Sequence, residues 1–296
     1  MSFSGEVKEE LLKQLDTARH CRIAELSAYL LFLSDRNTRG EHDPLSVKSE
    51  NPALLKKCFT LLKKTFNIDN AFEPKAAGHR SEWILPAEQA RDVLLSTGSS
   101  LCLKNSCCKR AFLRGAYLAA GSMSDPSRSY HLEFVCPTEE IASIVRDQLI
   151  ACELDGKVTK RRDNYVTYIK EGEDITTFLS LTGAGVAMMN MENTRILKEI
   201  GNQVNRQVNC EAANMQKSIN TGARQKADIE YIAEHMGLSA LPEQLRVAAE
   251  MRLEYPEETT LKELAEMMNP PLTKSGLNHR LQKLSRIAEE LRESGR

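Results

Sequence analysis

An internal repeat limits the fold of this chain more than any other feature of its sequence. Leu26 and Leu113 lie in apolar patterns of helical spacing, 87 positions apart. The same offset pairs the strand-like run 45–47 with 132–134, and the helix that begins at Asn51 with the one that begins at Thr138. It also pairs residues 83–85 with the strand that ends at Lys170, and residues 87–95 with residues 174–182. Self-similarity over five elements predicts one supersecondary unit used twice. Each copy is predicted as helix, strands, helix, strand, helix, which is an α+β unit.

The leading helix of each copy carries small residues at helical spacing. These are Ala24 and Ala28 in the first copy and Ala111, Gly115 and Ala119 in the second. Small residues four apart let two helix backbones approach closely, so the two helices are candidates to pack on each other. The alternative is that each stripe faces the sheet of its own copy, and the periodicity does not decide between the two.

These two helices resemble a known motif. Residues 113–121, LRGAYLAAG, resemble the LAGLIDADG motif of homing endonucleases, and residues 26–34, LSAYLLFLS, resemble a weaker copy. The resemblance implies two pseudo-symmetric halves that meet through the motif helices and form a saddle for DNA. It also implies a catalytic acid near the end of each motif helix, but the matching positions are Leu33 and Ala120.

Leucine and alanine supply no oxygen ligand for Mg²⁺, which the hydrolysis of phosphodiesters would need. We therefore expect a scaffold that is not an enzyme and holds no metal. The alternative is a metal-dependent DNA endonuclease with relocated ligands at Asp35, Asp125 or Glu133.

Four helices are predicted after residue 226. The first ends at Gly237, Pro242 begins the second, Thr260 and Glu263 form a capping box for the third, and Thr273 caps the fourth. The last two helices resemble a helix-turn-helix. The fourth carries an apolar stripe at Leu277, Leu281, Leu284, Ala288 and Leu291, which is predicted to face the core.

The opposite face of the last helix presents side chains that suit DNA. The candidate DNA-binding residues are Thr273, Lys274, Ser275, Asn278, His279, Gln282, Lys283 and Arg286. In a helix-turn-helix, the N-terminal part of this helix meets base edges, so the first five residues are the candidates for sequence recognition. Lys283 and Arg286 lie further along and suit backbone phosphates.

Charge is segregated around this helix. Residues 272–286 contain four cations and no acids, whereas residues 254–266 contain five acids and one lysine. This segregation favours DNA binding over a purely structural helix pair. The near-neutral total of 40 basic and 41 acidic residues therefore excludes only indiscriminate binding over the whole surface.

Two further basic segments lie in the repeat. Residues 157–170 hold five cations and one acid, and Lys160, Arg161 and Arg162 are candidate secondary DNA contacts through phosphates. The alternative is a solvated hairpin tip. The second cluster consists of Lys104, Lys109, Arg110 and Arg114. We interpret it as the ordinary start of a helix.

The repeat, the motif helices and the helix-turn-helix together are similar to the WhiA family of bacterial sporulation and cell division regulators, over nearly the whole chain. The resemblance implies a DNA-binding regulator of transcription in cell division, chromosome segregation and, where it occurs, sporulation. Double-stranded DNA is the expected partner, and the N-terminal body either adds phosphate contacts or holds another regulatory protein. The other alternative is a partner-binding scaffold tethered to DNA. Neither a cofactor nor a small-molecule substrate is expected.

The expected fold class is α+β, with a pseudo-symmetric duplicated LAGLIDADG-like body followed by an all-α helix-turn-helix domain. The predicted segments are a first half at 1–105, a second half at 106–192, a helical connector at 193–225 and the helix-turn-helix domain at 226–296. The connector is amide-rich and is predicted to break near Gly222. Its basic residues suit phosphates, although a solvated linker is the preferred interpretation.

The cysteines and apolar runs indicate the compartment. Eight cysteines show no Cys-x-x-Cys pair and no matching Cys/His cluster, so we expect small buried side chains rather than disulfides or a metal site. The longest apolar stretch, 28–33, is far shorter than the roughly 20 residues that cross a bilayer. The first residues are acidic and lack a signal pattern. We expect a cytoplasmic, nucleoid-associated protein with no membrane partner.

Overall fold

The computed structural model describes residues 2–34, 44–68, 73–77, 79–98, 100–255 and 259–294. The chain divides into two compact units, Met1–Lys198 and Glu199–Arg296. The four segments predicted from the sequence are a finer division and stay a prediction. The α+β class with an all-α C-terminal region is confirmed.

The first unit contains the two copies of the repeat. Helix α1 (Phe3–Lys13) precedes them. The first copy consists of α2 (Arg19–Leu33), β1 (Leu45–Ser49), α3 (Pro52–Phe66), β2 (Lys75–Ala77), β3 (Arg80–Leu85) and α4 (Ala87–Gly98). The second consists of α5 (Ser106–Ala120), β4 (Gly121–Met123), β5 (Leu132–Cys136), α6 (Glu139–Ile150), β6 (Lys157–Arg161), β7 (Asn164–Ile169) and α7 (Gly172–Thr182). A short 3-10 turn at Ser100–Leu103 separates the copies.

The offset of 87 holds for the first part of each copy only. Helices α2 and α5 and strands β1 and β5 match at both ends. Helices α3 and α6 begin in register, but α3 has 15 residues and α6 has 12. Strand β3 therefore begins at Arg80 and β7 at Asn164, 84 positions later. The offset of 87 is therefore wrong for the last strand and the last helix of each copy, because α6 is about one helical turn shorter than α3.

Each copy forms one antiparallel sheet. The strand orders are β1-β3-β2 and β4-β5-β7-β6. In the second sheet Gly121 pairs with Phe134, and in the first Ser34 makes an isolated bridge to Val47, which is the same pairing at the repeat offset. The two copies thus share their sheet register as well as their element order.

The leading helices pack on each other. A Cβ atom added at Gly115 of α5 would lie 2.7 Å from the carbonyl oxygen of Glu25 and 2.9 Å from the Cβ of Ala28, both in α2. Only glycine permits this approach, because any side chain would collide with the backbone of the facing helix. The structure thereby decides between the two roles of the small-residue stripes in favour of helix–helix contact.

The second unit is helical. Helix α8 (Gly185–His235) is continuous over 51 residues and enters this unit. The predicted break near Gly222 is wrong, since one glycine costs only about 1 kcal/mol in a long helix. Gly237 ends the helix region with a positive φ of 79°, as predicted. Helices α9 (Glu243–Glu254), α10 (Leu261–Met267) and α11 (Lys274–Ser294) follow.

The apolar stripe predicted in α11 faces the core of this unit. Leu277, Leu281, Leu284 and Ala288 are buried, and Leu291 is half-buried against them. They pack on Leu264 and Ala265 of α10. Within the described parts of the chain, no helix is both long and apolar enough to traverse a bilayer.

Candidate nucleic-acid interface

Side-chain caps fix where α10 and α11 begin. The Oγ1 of Thr260 accepts from the Glu263 backbone N–H at 3.3 Å, and the Glu263 carboxylate accepts from the Thr260 N–H at 2.8 Å. The carboxylate also accepts from the Thr260 hydroxyl at 2.8 Å. The hydrogen bonds from the backbone N–H and the hydroxyl of Thr260 lower the pKa of the Glu263 carboxyl from its usual value, the backbone one most. The Oγ1 of Thr273 accepts from the Gly276 N–H at 3.1 Å. Both caps predicted from the sequence are present.

The buried stripe of α11 sets which face is open. Seven of the eight candidate DNA-binding residues are exposed, and Asn278 is half-buried. Those seven are Thr273, Lys274, Ser275, His279, Gln282, Lys283 and Arg286. Seven of the eight candidates thus lie on α11 and Thr273 lies at its cap, all outside the core, as a recognition surface requires.

One cation of α11 has a structural role. The guanidinium of Arg280 is half-buried and donates to the carbonyl oxygen of Gln244 in α9, at 3.4 Å. Three cations of the basic segment, Lys274, Lys283 and Arg286, remain exposed.

Sequence reasoning did not include two lysines that lie beside the start of α11. A groove of about 470 Å³ is lined by Lys217 of α8, Lys262 of α10 and Lys274 of α11. Lys262 also lies 3.9 Å from Glu266, one turn along its helix. Only the packing of α8 against the other helices brings these three lysines together, although Lys217 is one of the basic residues of the connector predicted from the sequence.

The basic hairpin of the first unit presents its three cations in different directions. Arg161 pairs with Asn164 and Lys160 with Tyr165 across β6 and β7. Neighbouring strand residues point to opposite faces. Arg161 thus lies on the open sheet face, 3.5 Å from Glu133, while the ammonium of Lys160 lies over the Tyr165 ring on the other face, 5.8 Å from its centroid. Arg162 occupies the turn with φ 56°.

A cleft of about 810 Å³ lies at the ends of the two motif helices. Leu33 and Ala120, which occupy the two positions where the motif resemblance implies a catalytic acid, both line it. Among its described lining residues Glu50 is the one carboxylate, and it lies 3.3 Å from the Arg80 guanidinium. Lys48 also lines the cleft. The cleft is thus more basic than acidic.

The acids of the nuclease alternative do not meet in this cleft. Asp125 and Glu133 are absent from its described lining. Asp125 accepts from the backbone N–H of Ser127 at 2.8 Å, and its hydrogen bonds to Ser127 lower its carboxyl pKa. Glu133 pairs with His131 at 3.2 Å. Asp35 lies outside the described residues.

Arg114 is unavailable to phosphates because it is buried in an ion network between α2 and α5. Its guanidinium lies 2.9 Å from the Glu25 carboxylate, which is fully buried, and also contacts Asp16. The ammonium of Lys57 approaches the other Glu25 oxygen at 2.7 Å. Of the cluster interpreted as a helix entry, this member is therefore part of the core.

The expectation of no Cys/His cluster is also wrong. His20, Cys21, Cys107 and Cys108 have ligand atoms that all lie within 4.8 Å of one another. Their spacing along the chain hides the cluster, because two members come from each copy of the repeat.

Two family models match the chain. The WhiA LAGLIDADG-like domain matches residues 109–201, and the WhiA C-terminal HTH domain matches residues 204–288. The second match contains the whole basic segment of α11.

Full-length relatives and solved structures agree with these matches. The chain is 44% identical to a "Probable cell division protein WhiA" from Lachnoclostridium phytofermentans, covering 99% of this chain and 100% of that one. It is 39% identical to a protein of the same name from Clostridium beijerinckii, with the same coverage. The crystal structure of full-length DUF199/WhiA from Thermatoga maritima is similar, at 29% identity and a TM-score of 0.61, over 98% of this chain and 99% of that chain.

Proposed function

Because the chain belongs to the WhiA family, we propose that it is a sequence-specific DNA-binding protein that regulates transcription in cell division. One observation carries this proposal: the predicted recognition residues lie on α11 or at its N-terminal cap, Thr273, and outside the core. The name of its relatives, probable cell division protein, supports the process. Chromosome segregation and sporulation, which the family resemblance implies, complete the proposed role.

Residues at increasing distance from the start of α11 are proposed to contact different parts of the DNA. Thr273, Lys274 and Ser275 lie at the N-terminal end, which a helix-turn-helix directs into the major groove. Asn278 and His279 follow one turn later and can hydrogen-bond base edges. Gln282 lies beyond them on the same face, and Lys283 and Arg286 suit the phosphates, which add affinity for any sequence.

The N-terminal body is proposed as a binding scaffold with no catalytic role. Leu33 and Ala120 at the cleft cannot hold a divalent ion, and Glu50 is already paired with a cation. Arg161, with Lys160 and Arg162 at the same hairpin, is proposed to contact phosphates. Of the three, Arg161 is the best placed to contact a phosphate, because its side chain lies on the open sheet face and is 70% exposed there.

Double-stranded DNA is the proposed partner, and the protein is proposed to act in the cytoplasm at the nucleoid. A second regulatory protein on the body is the other proposed contact. Its test is whether a body-surface variant outside the basic hairpin, such as Ile150→Glu at an exposed apolar residue, loses the partner and still binds DNA through α11.

Single substitutions in α11 test the proposal. Binding is measured by fluorescence anisotropy against a duplex selected by the protein from a random pool and against a scrambled duplex. Asn278→Ala or His279→Ala should weaken binding to the selected site by about 5- to 150-fold, which corresponds to about 1–3 kcal/mol, and spare the scrambled duplex. Lys283→Ala should weaken both and reduce the salt slope by about 1.

Glu293→Ala, an exposed change at the far end of the same helix, is the matched control and should leave both affinities unchanged. If the base-reading variants and Lys283→Ala bind like the control, α11 is not the recognition helix. A failure of the wild-type chain to enrich any sequence from the pool would remove the sequence-specific function itself.

Plasmid cleavage tests the absence of catalysis. Supercoiled plasmid is incubated with the protein and Mg²⁺ or Mn²⁺, with EDTA as the control. We expect no nicking above the EDTA control. Metal-dependent nicking that Asp125→Asn or Glu133→Gln abolishes would establish the endonuclease instead.

A further inference from the structure

A four-residue cluster joins the N-terminal ends of the two motif helices. His20 and Cys21 lie in the first turn of α2, and Cys107 and Cys108 lie in the first turn of α5. His20 and Cys107 are 87 positions apart, and so are Cys21 and Cys108. The repeat therefore places one pair of metal-ligating side chains at the same point of each copy, and the packing of α2 on α5 brings the pairs together.

The distances in this cluster match those around one tetrahedral ion. The Nδ1 of His20 lies 3.2 Å from the Sγ of Cys108, 3.3 Å from that of Cys21 and 3.9 Å from that of Cys107. Tetrahedral zinc, with Zn–S about 2.3 Å and Zn–N about 2.0–2.1 Å, separates nitrogen from sulfur by about 3.6 Å and two sulfurs by about 3.8 Å. All four ligand atoms lie within 4.8 Å of one another.

The surroundings also suit a structural metal site. Cys21 and Cys108 are buried with Ala24 and Ala111 in a small cluster of their own, with Leu103 packed against it. Cys107 is half-buried and His20 is exposed. Two ligands are therefore shielded from solvent, and the imidazole leaves a path by which an ion can enter.

We propose that His20, Cys21, Cys107 and Cys108 bind a single zinc ion that fastens the two copies of the repeat to each other. Three thiolates and one imidazole form one of the donor sets of closed, structural zinc sites. On binding, the three thiols release their protons to the solvent and the histidine coordinates as the neutral ring, so the site carries a net charge of −1. The N-terminal ends of α2 and α5 favour that negative charge, since both helix dipoles have their positive ends there.

Other occupants fit the geometry less well. An iron–sulfur cluster inserts its inorganic core between its ligands, whereas all four atoms here lie within 4.8 Å. A disulfide would use only two of the three sulfurs and would leave the histidine without a role. A mononuclear ion uses all four residues.

Metal content and affinity test the proposal on the full-length protein, purified without a polyhistidine tag. We expect about one zinc per chain by mass spectrometry of the elements. Replacing zinc with cobalt should give the absorption bands of tetrahedral thiolate coordination. In competition with a chromophoric chelator, His20→Asn and Cys107→Ser should weaken zinc binding by at least about 10- to 100-fold, the range seen when a residue that only hydrogen-bonds a metal ligand is removed. Both substitutions affect incompletely buried residues, so the chain should still fold.

Cys152→Ser is the matched control, since Cys152 is a half-buried cysteine of the same unit outside the cluster. It should keep the wild-type zinc content and affinity. Removing zinc should also speed hydrogen exchange in the first turns of α2 and α5 and leave α6 unchanged.

Three results would overturn the proposal. One is a wild-type affinity for zinc equal to that of the double variant His20→Asn/Cys107→Ser. Another is a disulfide between two of these cysteines in protein whose free thiols were alkylated during purification. The last is bound iron with visible absorption in place of zinc, which would assign the cluster to a redox-active group.

Discussion

Glu25 shows how much a single buried charge decides in this molecule. Its carboxylate is fully buried and contacts the Arg114 guanidinium, the Lys57 ammonium and the Tyr29 hydroxyl, the last at 2.6 Å. It joins α2, α3 and α5 around one side chain. Burial and the Glu25 carboxylate raise the pKa of Tyr29 well above its ordinary value, so this hydroxyl stays a donor.

We expect Glu25→Gln to destabilise the first unit by about 3–5 kcal/mol, because it leaves the buried Lys57 ammonium without its carboxylate and the buried Arg114 guanidinium with Asp16 alone. Trp83 is the sole tryptophan and is buried in this unit, so its fluorescence in a urea titration follows the unit specifically. Arg146→Gln, which removes an exposed pair with Asp147, should cost no more than about 1 kcal/mol. Equal midpoints for the two variants would show that the buried network does not stabilise the unit.

At the scale of elements, the contact between α2 and α5 depends on the absence of a side chain at Gly115. An added Cβ would meet a backbone oxygen, which cannot rotate away as a flexible side chain can. The two helices would have to separate, and the packing between the two copies would loosen with them.

Gly115→Val should therefore lower the urea midpoint reported by Trp83, with a loss of about 1–3 kcal/mol or more. Gly98→Ala, at a helical glycine with no atom within 4 Å of the added Cβ, should be neutral or slightly stabilising. If both variants unfold at the wild-type midpoint, the helices do not approach as closely as described.

The cap of α10 predicts a pH dependence in the helix-turn-helix. The pKa of the Glu263 carboxyl is lower in the folded chain than its ordinary 4.5. The contribution of this carboxylate to the stability of α10 is thus complete above pH 4.5. It is lost as the pH falls through the folded-state pKa, since protonation removes the acceptor. Hydrogen exchange in α10, corrected for intrinsic rates, should accelerate over this acid range.

Glu263→Gln should remove most of that acceleration, because its amide does not titrate in this range. Glu266→Gln, on the same helix and outside the cap, should retain it. The same pH profile in both variants would show that the capping carboxylate is not the titrating group.

At the scale of the whole molecule, the two units have separate cores. The main core of the first unit contains residues of both copies, and that of the second is built from α8 to α11. Among the residues that the structure describes, the two sets have none in common. A substitution in the core of one unit should therefore destabilise that unit more than the other.

We expect Leu281→Ala to destabilise the second unit by about 2–5 kcal/mol through the lost burial and the cavity that remains. Hydrogen exchange in α9 and α11 should accelerate, while the Trp83 urea midpoint stays at its wild-type value. A matching fall of that midpoint would show that the units unfold as one.

Much of the candidate site followed from local patterns. The capping box at Thr260 and the cap at Thr273 need only residues a few positions apart, so the sequence predicts them directly. The stripe from Leu277 to Ala288 predicts which face of α11 is open, because helical periodicity is fixed by backbone geometry. The break at Gly222 failed because one unfavourable residue does not outweigh the helix around it.

The sequence by itself determined the repeat, the motif helices, the caps and the exposed face of α11, since each depends on a periodicity or a short spacing. Tertiary structure alone decided that α2 packs on α5, that Arg114 is buried with Glu25, and that Arg161 lies beside Glu133 on the open sheet face. It also assembled His20, Cys21, Cys107 and Cys108, which the chain separates into two pairs. These features join residues distant in sequence, and their distances in space follow from the packing of the two copies rather than from any local rule.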